Sequence, residues 1–342
     1  MLSRLIITFL CAAAIGSVSG TFLTFDPAEI EFEDVEAPVS FSAKLNSKPT
    51  EDVIVYLQHP SMSMSGCVIV FNSDNWDVPR QLTGVPAPLV LGSSNPPGKL
   101  DVNSKLLARA MTADPRPAEL STTDTLKVTQ KDMPQYTCSA GEDIVSTLDS
   151  LKFLFNRPGW YTLLSTGDVE IQVLMGRCAG KLPCFTAVLA RYGSSVMGMD
   201  ASGPVKDIDD YFVTEVTQNT NGVLYTSNPS DGEHIVTFPY GSRLHVKVVS
   251  HDGGVKLDMD LTLAAGYPSP GGLCNRPRSE SPDNKLMGRD GNSYDPADRD
   301  EVDDFTNSWG VEDEDVLTNP DARTLHLPVQ HPGTVCTFPV NP

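Results

Sequence analysis

Residues 255–263 read VKLDMDLTL, an unbroken alternation of apolar and polar side chains. Val255, Leu257, Met259, Leu261 and Leu263 fall on one side, and Lys256, Asp258, Asp260 and Thr262 on the other. A period of two over nine residues fits an extended chain, because a helix would scatter the apolar groups around its circumference. One face is then covered and the other wet, as in an antiparallel strand. RLHVKVV just before it alternates likewise, and SHDGG between them is turn chemistry, so 242–263 is expected to form a hairpin. VEIQVLM at 169–175 repeats the pattern through Val169, Ile171, Val173 and Met175. Helical periodicity is scarce.

Short strands separated by Pro, Asn and Asp fill the first hundred residues after the leader, which suggests a β-sandwich. Between about 114 and 137 the chain carries three prolines and few large apolar residues, apart from TLKVTQ. A boundary is expected at the end of that stretch, near Asp132. The length left after the leader suggests two domains.

The opening MLSRLIITFLCAAAIGSVSG has a positive start at Arg4, an apolar run from Leu5 to Ile15 and small residues at Val18-Ser19-Gly20. It reads as a secretory signal peptide, too short to span a bilayer, with Cys11 leaving alongside it. No later segment is apolar enough for a membrane span, and VCTFPVNP at the C-terminus lacks the tail of a lipid-anchor signal. An extracellular protein is expected. No N-x-S/T sequon occurs. A formal net charge of −19 repels phosphate, so nucleic acid is excluded as a natural partner.

Cys67, Cys138, Cys178, Cys184, Cys274 and Cys336 remain. An even set in an oxidising compartment reads as disulfides, with 15 pairings open from sequence alone. No C-x-x-C or HExxH signals zinc.

Two stretches carry family resemblances. AKLNSKPTEDVIVYL followed by VIVFNSDNWDVPRQLTGV resembles the Ig-like sandwiches of the Calx-beta type, with Asn75-Trp76 and Pro79 matching the second element. Trp76 is large enough to close one end of such a core. The acidic calcium loops of that family have no match here. Further on come CSAGEDIVSTLDSLKFLF, VEIQVLMGRCAGKLPCF, GGLCNRP and DEVDDFTNSWGV. In that order they resemble the von Willebrand factor type D domain. The resemblances imply an all-β protein of two β-sandwich domains with few short helices. Its layout is a signal peptide at 1–20, an Ig-like sandwich at 21–131, a type D-like sandwich at 132–318 and a tail at 319–342.

The type D resemblance also implies pairings and roles. It joins Cys138 to Cys274 and Cys178 to Cys184, leaving Cys67 and Cys336 to pair by elimination. Closing the 136-residue loop is worth on the order of 4–5 kcal/mol in the chain-entropy model. Phe305 and Trp309 become core residues at i, i+4 spacing on a short helical turn, with Asp303 and Asp304 on the solvated side. Twelve acids against three bases in 283–315 are thus a wet face, with no D-x-D-x-D-G-x5-E calcium loop among them. Calcium is implied instead at Asp149, Asn275, Asp283 and Asn284, oxygen donors suited to a weak extracellular site. The sequence departs from the family there: the Gly between Cys274 and Asn275 is missing, and Arg276 and Arg278 follow. Polymer-forming members carry C-G-L-C where this chain has Gly271-Gly272-Leu273-Cys274, so disulfide-linked multimers are not implied.

No G-x-S-x-G elbow, P-loop, G-x-G-x-x-G or zinc-protease helix is present, and six histidines are scattered. The self-cleaving Gly-Asp-Pro-His peptide of some type D proteins reads Gly141-Glu142-Asp143-Ile144 here. The sequence therefore assigns no catalytic residue. The expected function is a secreted, non-catalytic structural or adhesive role in a matrix, wall or surface coat, with extracellular protein or glycan partners. The alternative is a secreted hydrolase or carbohydrate-binding module. Trp76, Trp160 and Tyr161 are the aromatics that could serve either contact or core.

Overall fold

A computed structural model describes residues 18–19, 21–35, 37–86, 104–113, 118–131, 135–178, 182–193, 195–203, 212–215, 223–238, 241–251, 254–264, 267, 270–276, 283–325 and 334–339. The fold is all-β, with two α-helices among the described residues and three disulfides. Most of the expected leader lies outside the described residues. Its last part, Val18–Ser19, pairs with the strand Leu23–Asp26.

Two sheets form the first sandwich-like unit. One runs in the order Val18–Ser19, Leu23–Asp26, Val39–Leu45, Arg80–Pro86, Met62–Met64 and Thr334–Val335. The other runs Glu29–Phe32, Thr123–Gln130, Ser104–Met111, Val53–Gln58 and Val68–Phe71. Thr123–Gln130 pairs parallel to Glu29–Phe32, in the register Val128 to Ile30. Strict alternation supplies the core: Leu23 and Phe25 from the first sheet and Val53, Val55 and Leu57 from the second are fully buried.

The second unit has a seven-stranded sheet in the order Lys152–Leu154, Ile144–Ser146, Tyr136–Gly141, Gly254–Leu263, Arg243–His251, Glu233–Thr237 and Leu224–Asn228. Against it lies a six-stranded sheet of Phe212–Glu215, Ser195–Asp200, Leu182–Tyr192, Val169–Cys178, Gly159–Ser165 and Gly310–Val311. The expected hairpin is present, with Val248 opposite Leu257. Among the described residues no strand within 18–130 pairs with one within 136–311. Thr334–Val335 is the strand that returns from the far end to join Met62–Met64 in the first unit.

The disulfides are Cys138–Cys274 within the second unit, Cys178–Cys184 across a strand connection, and Cys67–Cys336, with Cα separations of 5.7, 5.8 and 5.2 Å. Cys67–Cys336 ties the C-terminal segment to the first unit beside the strand it has joined.

Helix α1, Arg299–Ser308, explains the acidic run with two aromatics. Asp298 caps it by accepting from the Asp300 and Glu301 N–H groups, and the acids of the first turn suit the positive helix end. Phe305 is fully buried and meets Phe153 edge-on, ring centroids 5.4 Å apart. Trp309, at the C-cap, is half-buried and donates its indole N–H to the Met287 carbonyl at 3.2 Å. Asp304 is exposed, and Asp303 pairs with Arg157 at 2.8 Å. A second helix, α2, spans Pro320–Leu325.

Candidate functional site

Lys152–Leu154 is the edge of the seven-stranded sheet, and among the described residues no strand pairs with its outer side. Its register against Ile144–Ser146 sets Val145 opposite Phe153, flanked by bonds from Phe155 N to Asp143 O and from Thr147 N to Leu151 O. Hydrogen-bonded pairs alternate with non-bonded ones in such a ladder. The 144/154 and 146/152 pairs are therefore the non-bonded ones, and the backbone groups of Lys152 and Leu154 point outward. Leu154 is 66% exposed and its cross-strand neighbour Ile144 45%. Beside them a groove of about 450 Å³ runs to Pro296, Ala297 and Val302 at the start of α1. Lys152 and Arg299 stand on its walls with Asp143 and Asp303.

A polar cross-tie joins the strand connection after Ser146 to the loops that precede α1. Thr147 donates its hydroxyl to Asp149 Oδ1, and Leu148 N–H donates to the Cys274 carbonyl at 2.8 Å. Asn275 is 1% exposed and sits at φ +56°, a left-handed conformation that asparagine tolerates. Its amide donates to Asp149 Oδ2 at 3.4 Å and to the Lys285 carbonyl at 3.1 Å, while its Oδ1 accepts from Met287 N–H at 2.8 Å.

As hydrogen-bonded here, these residues do not turn a set of oxygens toward a common calcium position. Asn275 turns its N–H donors, not its oxygen, toward Asp149, and that oxygen is already engaged by backbone. Asp283 and Asn284 are exposed. Among the described residues no group of three or more His, Cys, Asp or Glu side chains could hold a metal.

The aromatics divide. Trp76 is half-buried against the first core, and its carbonyl accepts from Leu45 N–H at 2.9 Å. Tyr161 is buried edge-on against Phe155 at 4.5 Å, and Trp160 packs on a small cluster of Leu189, Val196, Val316 and Leu317.

Two polar sites gave no sequence signal. His59 is fully buried; its Nδ1 accepts from Ser61 N–H at 3.2 Å, so Nε2 carries the proton and donates to Ser104 Oγ at 2.7 Å. Burial pushes the imidazole down to about 4. With its acceptor nitrogen engaged by backbone, His59 is not placed to take a proton from Ser104. Glu170 and Arg191 form a buried ion pair at 2.5 Å on adjacent strands. Beside them Gln172 donates to Glu170 at 2.8 Å and to the Asp315 carbonyl at 3.1 Å, and accepts from Leu317 N–H at 2.9 Å. A sequence pattern cannot find such sites, because Ser104, Arg191, Asp315 and Leu317 are distant in the chain from the residues they meet.

Fold and site together define an all-β, disulfide-stapled protein with an open sheet edge beside a helix. Comparison with protein-family models and with curated proteins yields no match for this chain. Among the described residues, no helix is long and apolar enough to cross a membrane.

Proposed function

We propose that the chain is a secreted, non-catalytic structural or adhesive protein, an Ig-like sandwich followed by a type D-like sandwich, acting by binding at the cell exterior. The observation that carries this reading is the set of three disulfides, which a reducing cytosol would not maintain. The signal-peptide pattern of residues 1–20 agrees with it.

The binding surface is the groove between Lys152–Leu154 and α1. Its occupant is an extended segment of a partner protein that adds to the open edge by backbone hydrogen bonds. Ile144 and Leu154 would receive apolar side chains, while Asp143 and Asp303 would favour a basic flank. The test is a panel of extracellular matrix proteins and glycans, with each ligand assayed for saturable binding and for turnover. Binding without turnover that is lost in Leu154→Asp supports the reading. Turnover of any glycan or peptide would favour a secreted hydrolase, and glycan binding indifferent to Leu154→Asp a carbohydrate-binding module.

A further inference from the structure

Asp124 opens into the interior of the first unit, 4% exposed, near the start of the strand Thr123–Gln130. Its carboxylate accepts three successive backbone N–H groups, from Thr21, Phe22 and Leu23. Oδ1 accepts from Thr21 at 2.8 Å, and Oδ2 accepts from Phe22 at 2.9 Å and Leu23 at 2.8 Å. The contact spans more than a hundred residues and joins the two sheets of the unit. A buried carboxylate is costly unless its oxygens are fully engaged. An asparagine could not replace it, since its amide would turn N–H groups toward N–H groups.

The residue that reaches Oδ1 is the one that follows Val18-Ser19-Gly20, the small-residue signature of leader cleavage. We propose that Asp124 is the docking site for the α-ammonium created at Thr21 when the signal peptide is removed. The inference rests on the secretory reading above. Hydrolysis by a leader peptidase adds water across the Gly20–Thr21 peptide bond. Gly20 leaves as a carboxylate, and the Thr21 nitrogen takes up the proton as an ammonium. At 2.8 Å from Oδ1, a hydrogen bond charged only on its acceptor becomes an ion pair charged on both sides.

Removal of Val18–Ser19 takes away only the outermost strand, so the rest of that sheet keeps its pairing. The device is specific to one cleavage position. An ammonium one residue earlier would be displaced by about 3.8 Å, the spacing of consecutive Cα atoms.

The experiment begins with the N-terminal sequence of the protein recovered from the medium. Melting temperatures are then measured for that protein and for a form with one additional Gly before Thr21, each with Asp124 and with Asp124→Asn. The expected N-terminus is Thr21. The additional Gly should lower the midpoint by about 2–4 °C when Asp124 is present and leave it unchanged in Asp124→Asn. Should Asp124→Asn fail to fold, acylation by an amine-reactive ester decides: the Thr21 amine should react several-fold more slowly than that of the Gly-extended form. Thr21 as the N-terminus with no effect of the additional Gly, or equal acylation rates, overturns the docking and leaves secretion intact. A different N-terminus on exported protein overturns the cleavage position and the docking with it, and absence of the protein from the medium overturns the secretory reading.

Discussion

The indole of Trp309 lies against the backbone of Gly271 with no room for a side chain: a Cβ at 271 would come within 2.6 Å of Trp309 Cη2. Gly271 is also held on both backbone groups by Ser165, at 2.8 Å each way. Gly271→Ala is expected to destabilise the fold by about 1–3 kcal/mol through overpacking. Chemical denaturation measures this, and Trp309→Leu in the same chain should recover part of the loss. An unchanged denaturation midpoint would show that the ring moves aside freely.

Buried His59 should make the fold sensitive to acid. Its folded pKa of about 4 lies below the ordinary value of 6.5 because burial disfavours the charged ring. Above pH 6.5 both states hold a neutral imidazole and the group contributes no pH dependence. As pH falls toward 4 the unfolded chain binds a proton that the folded chain does not, so stability drops, by about 3 kcal/mol over the window. Below 4 both states are protonated and the loss levels off. His59→Gln should remove this component. Urea midpoints of both proteins at pH 7.5 and 4.5 test it, and equal pH slopes would refute the assignment.

The buried Glu170–Arg191 pair should cost more to break than to replace whole. Glu170→Ala strands a buried guanidinium, and Arg191→Ala strands a buried carboxylate. Either is expected to cost about 3–5 kcal/mol. Replacing both by Met removes both charges and fills the space, so the double variant should be more stable than either single one. The Leu317 cover, tied to Gln172, should lose amide-exchange protection in the single variants. Additive losses in the double variant would show that the two residues act independently.

Much of the fold was legible because alternation is a local property. The 255–263 strand places Val255, Leu257, Met259, Leu261 and Leu263 in the core, as its pattern implies. The pattern misjudges Lys256, which should be in water and is 7% exposed. Burial alone would lower its ammonium pKa, yet Glu142 and Asp258 hold it above the ordinary value. That correction depends on Glu142, 114 residues away, which no window along the chain contains. The same limit hid Glu170 and Gln172 in VEIQVLM. Their face, expected to be wet, is covered by 312–318, which arrives from the far end of the sequence. The type D resemblance implies Asp149 and Asn275 as calcium ligands, but the direction of the Asn275 amide is set by Met287 and Lys285, which no local pattern reveals.

That direction gives the last prediction. With its oxygen on Met287 N–H and its nitrogen shared between Asp149 and Lys285, Asn275 does by hydrogen bonding what an ion would do by coordination. Chelator treatment, and millimolar calcium added afterwards, are both expected to leave the melting temperature unchanged. Asn275→Asp keeps an acceptor for Met287 but removes both donors and sets a second carboxylate against Asp149. A loss of about 2–3 kcal/mol is expected, since buried acceptors lose their partner. A calcium-dependent rise in the melting temperature of the unmodified protein would show instead that Asn275 can turn its oxygen inward, and that the cross-tie gives way to a metal.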